Sequence, residues 1–144
     1  MRALGLDLGS KRIGVAVSDR SGTIASALTV LQRGRSRHDD HRRIADLVTA
    51  EEAECVVVGL PRSMSGGLGP AARAALSEVV VLATVVGVPV ETHDERLTTV
   101  TAQRVLAEQG RRGRAGRQVV DKVAAAVILQ AWLDARRASG GDRP

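Results

Sequence analysis

A short apolar run, Ala3–Leu8, carries one carboxylate, Asp7, near its end. The tight turn Gly9-Ser10-Lys11-Arg12 follows, and a second apolar run, Ile13–Val17, begins at once. Two apolar runs joined by so short a turn read as a β-hairpin. The acid then sits at the mouth of the first strand. A carboxylate in a core strand is costly unless something pairs with it. A metal ion is one good reason to place it there. The two cations in the adjacent turn point to an anion as the partner beyond the metal.

The rest of the chain predicts an α/β architecture. Ile24–Leu31 reads as a third antiparallel strand. Ser36 followed by Asp39 predicts a capped helix running through Ile44, Leu47 and Val48. Cys55–Leu60 is a continuous apolar run, as for a strand buried on both faces. Residues 61–69 form a Gly-rich loop, and Pro70 suits the first turn of a helix that ends at Gly87. A fifth strand is predicted over 88–94, a short helix over 98–109, a basic loop over 110–117 and a last helix over 119–137. These elements make an α/β sandwich around a five-stranded mixed sheet, three strands antiparallel and then two parallel. Residues 1–138 read as a single domain and 139–144 as a disordered tail. Loops and ligands gather at the C-terminal ends of parallel strands. Asp7, Asp94 and Glu95 fall at such ends or just beyond them.

Composition narrows the function. The net charge is +5, and every cation except Lys11 and Lys122 is Arg, which matches phosphate in a bidentate way. Trp132 is the only aromatic residue, so a stacking platform for bases is disfavoured. The single cysteine, Cys55, reads as a buried strand residue and fits a reducing compartment. No apolar stretch reaches transmembrane length, and the N-terminus has no signal-like segment. The expected location is the cytoplasm, with no membrane partner.

Asp121 reads as opening the last helix, and Ala124, Ala125 and Ala126 after it would let that helix pack closely on the sheet and bring Asp121 beside Asp7. Carboxylates converging at a sheet edge suit Mg²⁺ or Mn²⁺, and two such ions can clamp a phosphodiester. Zinc is disfavoured, because His38, His41 and His93 lack ligand spacing. No Gly-x-Ser-x-Gly elbow supports a serine nucleophile. Strand alternation alone leaves open which of Asp94 and Glu95 enters the site. Lys11, Arg12 and Arg96 lie next to the acids and suit phosphate. Arg111, Arg112, Arg114 and Arg117 form a Gly-rich basic run suited to salt-dependent backbone binding.

Four blocks, DLGSKRIGVAVSD (7–19), GLPRSMSGGLGPAA (59–72), DERLTT (94–99) and DKVAAAVILQAWLD (121–134), together resemble the RuvX (YqgF) family of RNase H-like nucleases. The resemblance spans the first strand through the last helix. It implies an RNase H-like fold and metal-dependent phosphodiester hydrolysis. It also implies that Asp7, Glu95 and Asp121 are the metal-binding and catalytic acids, with Glu95 taken over Asp94. It implies a nucleic-acid partner, and the phosphodiester clamp above calls for Mg²⁺ or Mn²⁺, two ions in that arrangement. The expected substrate is the 5′ end of small-subunit (pre-16S) ribosomal RNA precursor, or else branched DNA such as a Holliday junction. A noncatalytic nucleic-acid-binding module is a third reading, against which all three acids are present. An ATP-binding phosphotransferase would need a second domain that 144 residues do not supply. Processing an RNA end is compatible with a monomer, and resolving a junction asks for a homodimer. One departure from the family is the run Val79–Val86, apolar almost all round, which suits burial or self-association.

Overall fold

The computed structural model describes residues 1–61, 68–95 and 114–139, with the side chains of 114–120 excepted. Most of the Gly-rich loop, the helix expected over 98–109, Arg96, Arg111, Arg112 and the tail beyond residue 139 lie outside the described residues. Five strands, β1 (Ala3–Leu8), β2 (Arg12–Ser18), β3 (Ala25–Gln32), β4 (Cys55–Leu60) and β5 (Val90–Asp94), form one sheet in the order β3-β2-β1-β4-β5. The pairs β1–β2 and β2–β3 are antiparallel; β1–β4 and β4–β5 are parallel. The mixed sheet read from the sequence is therefore the one observed, with β1 at its centre.

The strands carry large side chains on one face and small ones on the other. Leu4, Leu6, Ile13, Val15, Val17, Val56 and Val58 pack against Ile44 and Val48 of helix α1 (Arg37–Ala50) and Leu82 and Val86 of helix α2 (Pro70–Val86). The opposite face is Ala3, Ala16, Cys55 and Val57, covered by Ala124, Ala125, Ile128, Leu129, Trp132 and Leu133 of helix α3 (Arg114–Ala138). Small residues on that face let α3 approach the sheet closely. Burial holds the Cys55 thiol up at about 11, so it is an inert core residue, as its sequence context suggested.

Local chemistry sets the ends of the elements. The Ser36 hydroxyl accepts from the Asp39 N–H at 3.1 Å and caps α1. Pro70 occupies the first turn of α2, and Gly87 closes it in the left-handed region at φ 73°. Pro89 has no N–H to donate, so β5 begins at Val90 rather than at Val88; the Pro89 carbonyl still accepts from Val56 N at 2.9 Å. Gln130 ties α3 to the sheet, accepting from Ala25 N at 2.9 Å and donating to Thr23 O at 3.0 Å.

The last helix departs from its expected start. It begins at Arg114, not near Val119, so Arg114 and Arg117 belong to its first two turns rather than to a loop. Asp121 consequently lies two turns inside the helix. Its position owes nothing to the partial positive charge of a helix N-terminus, which fades within the first turn. Among the described residues, no helix is long and apolar enough to cross a membrane.

Candidate active site at the end of the central strand

Asp7 belongs to the small-residue face of β1, two residues beyond Gly5, whose missing Cβ would lie 2.7 Å from Leu129 Cβ of α3. Its cross-strand partner on β2 is Gly14. Continuing the β1–β4 register by one residue sets Gly59 beside it on the other flank. Asp7 is thus bracketed by two glycines in one row across the sheet.

Both glycines are required by what lies over them. A Cβ on Gly14 would run into the backbone carbonyl of Asp121, and Asp121 Cβ is 3.4 Å from the same point. A Cβ on Gly59 would run into Ile128 Cδ1 and lie 3.5 Å from Glu95 Cγ. Directly opposed residues in neighbouring strands hold their Cβ positions about 5 Å apart. The structure therefore brings Asp121 to one side of Asp7 and Glu95 to the other. All three acids are partly buried. Just beyond the end of β5, the Glu95 side chain comes within 3.5 Å of the Cβ position of Gly59.

The cations divide. Arg12 does not face solvent: its Nε donates to Asp121 Oδ2 at 2.6 Å, with both side chains about four-fifths buried. Lys11 is exposed at the tip of the turn. No three His, Cys, Asp or Glu among the described residues stand as a ready-made metal-holding group. The donor set nevertheless fits a hard divalent ion, because it consists of carboxylate oxygens. The space a Cβ would fill at Gly14 and Gly59 lets two of the acids come in beside Asp7. A carboxylate has about four acceptor sites, so the Arg12 contact leaves Asp121 capacity for a ligand. His93, paired with Gly59 across the sheet, is buried, and its Nε2 meets no hydrogen-bond partner among the described residues. Burial lowers its pKa against the opposing charge of Asp94, which keeps the ring neutral near pH 7.

A second cluster, which the sequence reading missed, lies behind the turn on the α1–α2 side. Arg33 grips Glu78 with Nη1 at 2.7 Å and Nη2 at 3.0 Å, and His41 Nε2 meets the same carboxylate at 2.8 Å. Asp40 accepts from Gly34 N and from Arg43, each at 2.7 Å, and from Arg33 at 3.4 Å. Burial alone would raise both acids. The hydrogen bonds and charge of Arg33, with His41 for Glu78 and with Gly34 N–H and Arg43 for Asp40, outweigh it and hold both below their ordinary values. Glu78 is therefore ionised, and fully buried His41 must donate its Nε2–H to it. The visible signal was Glu78 itself, an acid on the stripe Ala72, Ala75, Glu78, Leu82, Val86 that α2 buries. Carboxyls depressed in the fold add stability above their unfolded pKa and lose it as pH falls through the folded value. The thermal midpoint should hold from pH 7 to about 5 and fall below about pH 4. A midpoint that stays level down to pH 3 would dissociate this cluster from stability.

The five-stranded mixed sheet in the order β3-β2-β1-β4-β5, with helices on both faces, is an RNase H-like fold. The chain belongs to the RuvX family, described as Holliday junction resolvase, whose model matches residues 1–135. It is by family a hydrolase of nucleic-acid phosphodiester bonds. The "Putative pre-16S rRNA nuclease" of Mycobacterium sp. (strain KMS) is 49% identical over 139 residues, 96% of this chain and 82% of that protein. The protein of the same name from Thermoanaerobacter pseudethanolicus is 46% identical over 138 residues, 95% of this chain and 99% of that protein. Among solved structures, T. thermophilus RuvC in complex with a Holliday junction substrate superposes with a TM-score of 0.63 at 21% identity, covering 96% of this chain and 97% of that one. At that identity the likeness is one of fold.

Proposed function

We propose that this protein is a divalent-metal-dependent nuclease whose Asp7, Glu95 and Asp121 hold Mg²⁺ or Mn²⁺, and that it trims the 5′ end of small-subunit ribosomal RNA precursor in the cytoplasm. One observation carries the reading: Asp7 is bracketed by Gly14 and Gly59, with Asp121 over the first and Glu95 over the second. Carboxylate oxygens brought in from both sides of Asp7 are the donors that a hard divalent ion takes. The names borne by relatives at nearly half identity over almost the whole chain support the RNA substrate.

A divalent ion held there would supply Lewis-acid polarisation of the phosphoryl oxygens and would lower the pKa of water near it. The chain's own residues do the rest. Asp7 offers an oxygen ligand from β1, Glu95 one from just beyond β5 across Gly59 of β4, and Asp121 one from the helix above them. Arg12 orients Asp121 and offsets its charge before substrate arrives. Lys11 at the tip of the turn, with Arg96, Arg111, Arg112, Arg114 and Arg117 beyond it in sequence, meets backbone phosphates.

Holliday junction resolution is the second reading, favoured by the description of the family itself. It requires two sites acting as a pair, whereas end-trimming needs one. Side-by-side cleavage of a precursor rRNA and a four-way junction, with solution mass measured in parallel, separates the two. Cleavage at the rRNA 5′ end in Mn²⁺ or Mg²⁺ and none in EDTA is the expected result. Symmetric nicking of the junction by a dimer, with the rRNA left intact, would replace the RNA substrate by branched DNA. Unchanged cleavage in EDTA would remove the metal from the reading altogether.

A further inference from the structure

We propose that Arg33 is a positioning residue for the acidic site, fixing the β1–β2 turn on which Asp7 and Arg12 depend; the proposal rests on the metal-site reading above. The five N–H donors of its guanidinium are all engaged. Nε and Nη2 reach the carbonyl of Gly9 at 3.0 and 2.9 Å, Nη2 and Nη1 take the two oxygens of Glu78, and Nη1 also meets Asp40. The Arg33 backbone N–H donates to Lys11 O at 2.9 Å. One residue therefore holds the turn at both Gly9 and Lys11.

Among the described residues, the turn's other ties from that side are its own Gly9 bonds and the Arg12–Gln32 pair of the β2–β3 ladder. Gly9 N donates to Arg12 O at 2.9 Å and closes the loop on itself, but this bond does not orient the loop relative to the sheet. Arg33 supplies that orientation and is itself locked. Glu78 on α2 and Asp40 on α1 hold its fork in plane, and His41 on α1 holds Glu78. Asp7 lies two residues before Gly9, and Arg12, which pairs with Asp121, three residues after it. Letting the turn tilt moves the ligand on the central strand and the cation on the helical ligand together.

A buried ion cluster by itself is weak support for any role beyond fold, since apolar residues of similar volume often stabilise as well. Here, however, the arginine spends two of its donors on a main-chain carbonyl of the site's own turn, and an apolar replacement cannot supply them. Lys at the same place keeps the charge, but its three donors radiate from one nitrogen. It cannot grip Glu78 and Gly9 O in the same way.

The test compares Arg33→Lys and Glu78→Gln with Ile44→Val, a core deletion on α1 that lowers stability without touching the turn. Three measurements are made: amide hydrogen exchange of residues 8–12, Mn²⁺ affinity by calorimetry, and steady-state cleavage of a nucleic-acid substrate, giving kcat and KM. For Arg33→Lys, exchange in the turn should rise about tenfold while that of β4 is unchanged. Mn²⁺ should bind about tenfold more weakly and kcat should fall about 10- to 100-fold, with KM within about twofold. Glu78→Gln, which keeps side-chain shape and one carbonyl oxygen, should move the same quantities in the same direction by less. Ile44→Val should lower the melting temperature and leave all three unchanged. If Arg33→Lys and Glu78→Gln also lower only the melting temperature, the positioning role is overturned and the cluster is structural. Asp7→Asn run alongside keeps the two ideas apart: if it binds Mn²⁺ and cleaves like wild type, the metal site fails, whatever the exchange data show for the turn.

Discussion

Asp7→Asn should lower cleavage by at least about 10³-fold, about 4 kcal/mol of transition-state stabilisation, while the melting temperature stays within about 4 °C of wild type. The two halves of this expectation have one cause. Asn matches Asp in shape and can still accept a hydrogen bond, so the packing of β1 on its two neighbours is kept. It lacks the charge that a divalent ion needs from the ligand at the centre of the row. Nor does the substitution add an atom to the space that Gly14 and Gly59 leave on either side of it. A residue kept for function commonly costs the fold something, so its loss should not unfold the protein. Single-turnover cleavage in Mn²⁺, paired with a thermal melt, checks both parts. Wild-type cleavage by Asp7→Asn would remove Asp7 from the chemistry. A fall of ten degrees or more with activity lost would instead make Asp7 a structural acid.

Much of this architecture was written locally in the chain. The apolar block Cys55–Leu60 and the span from Pro70 to Gly87 coincide with β4 and α2, because their limits are set by residues that cannot do otherwise. The last helix was misplaced at its start because Gly110, Gly113 and Gly116 argued for a loop. A glycine costs only about 1 kcal/mol inside a helix, and extending a long helix adds one bond per residue once it is nucleated. Here α3 runs on through Gly116 to Arg114. The alanines after Asp121 point to a close approach of α3 to the sheet beside Asp7. The residues that permit it, Gly14 and Gly59, sat unread in the same sequence. Their alternation with Ile13, Val15, Val58 and Leu60 was visible, but only strand register shows that they bracket Asp7.

What stayed hidden depends on contacts between distant elements. By sequence Arg12 suits a phosphate, whereas the structure pairs it with Asp121, 109 residues away. Arg33, His41 and Glu78 come from three elements, and no spacing rule joins them. Yet an acid on the buried stripe of α2 already demanded a cation, because an unpaired buried charge is far costlier than any helix tolerates. The demand was legible; the identity of the cation was not.

Gly14→Ala should be the most damaging small substitution in the sheet. The added Cβ would meet the backbone carbonyl of Asp121, which cannot rotate aside as a side chain would. β2 cannot retreat either, since it is hydrogen-bonded to β1 on one side and β3 on the other. The strain must lift α3 at Asp121. Overpacking of this kind costs about 1–3 kcal/mol. Displacing a reacting group by about 1 Å costs about 100-fold in rate. The variant should therefore melt lower and cleave about 100-fold more slowly. Gly5→Ala provides the comparison. Its Cβ would meet Leu129 Cβ at 2.7 Å, two turns along α3 from Asp121, where the helix can yield without moving that acid so far. If both variants lose similar stability, only Gly14→Ala should lose most of its cleavage. Equal losses of activity would mean that the catalytic arrangement depends on the seating of α3 as a whole rather than on the gap that Gly14 leaves for Asp121.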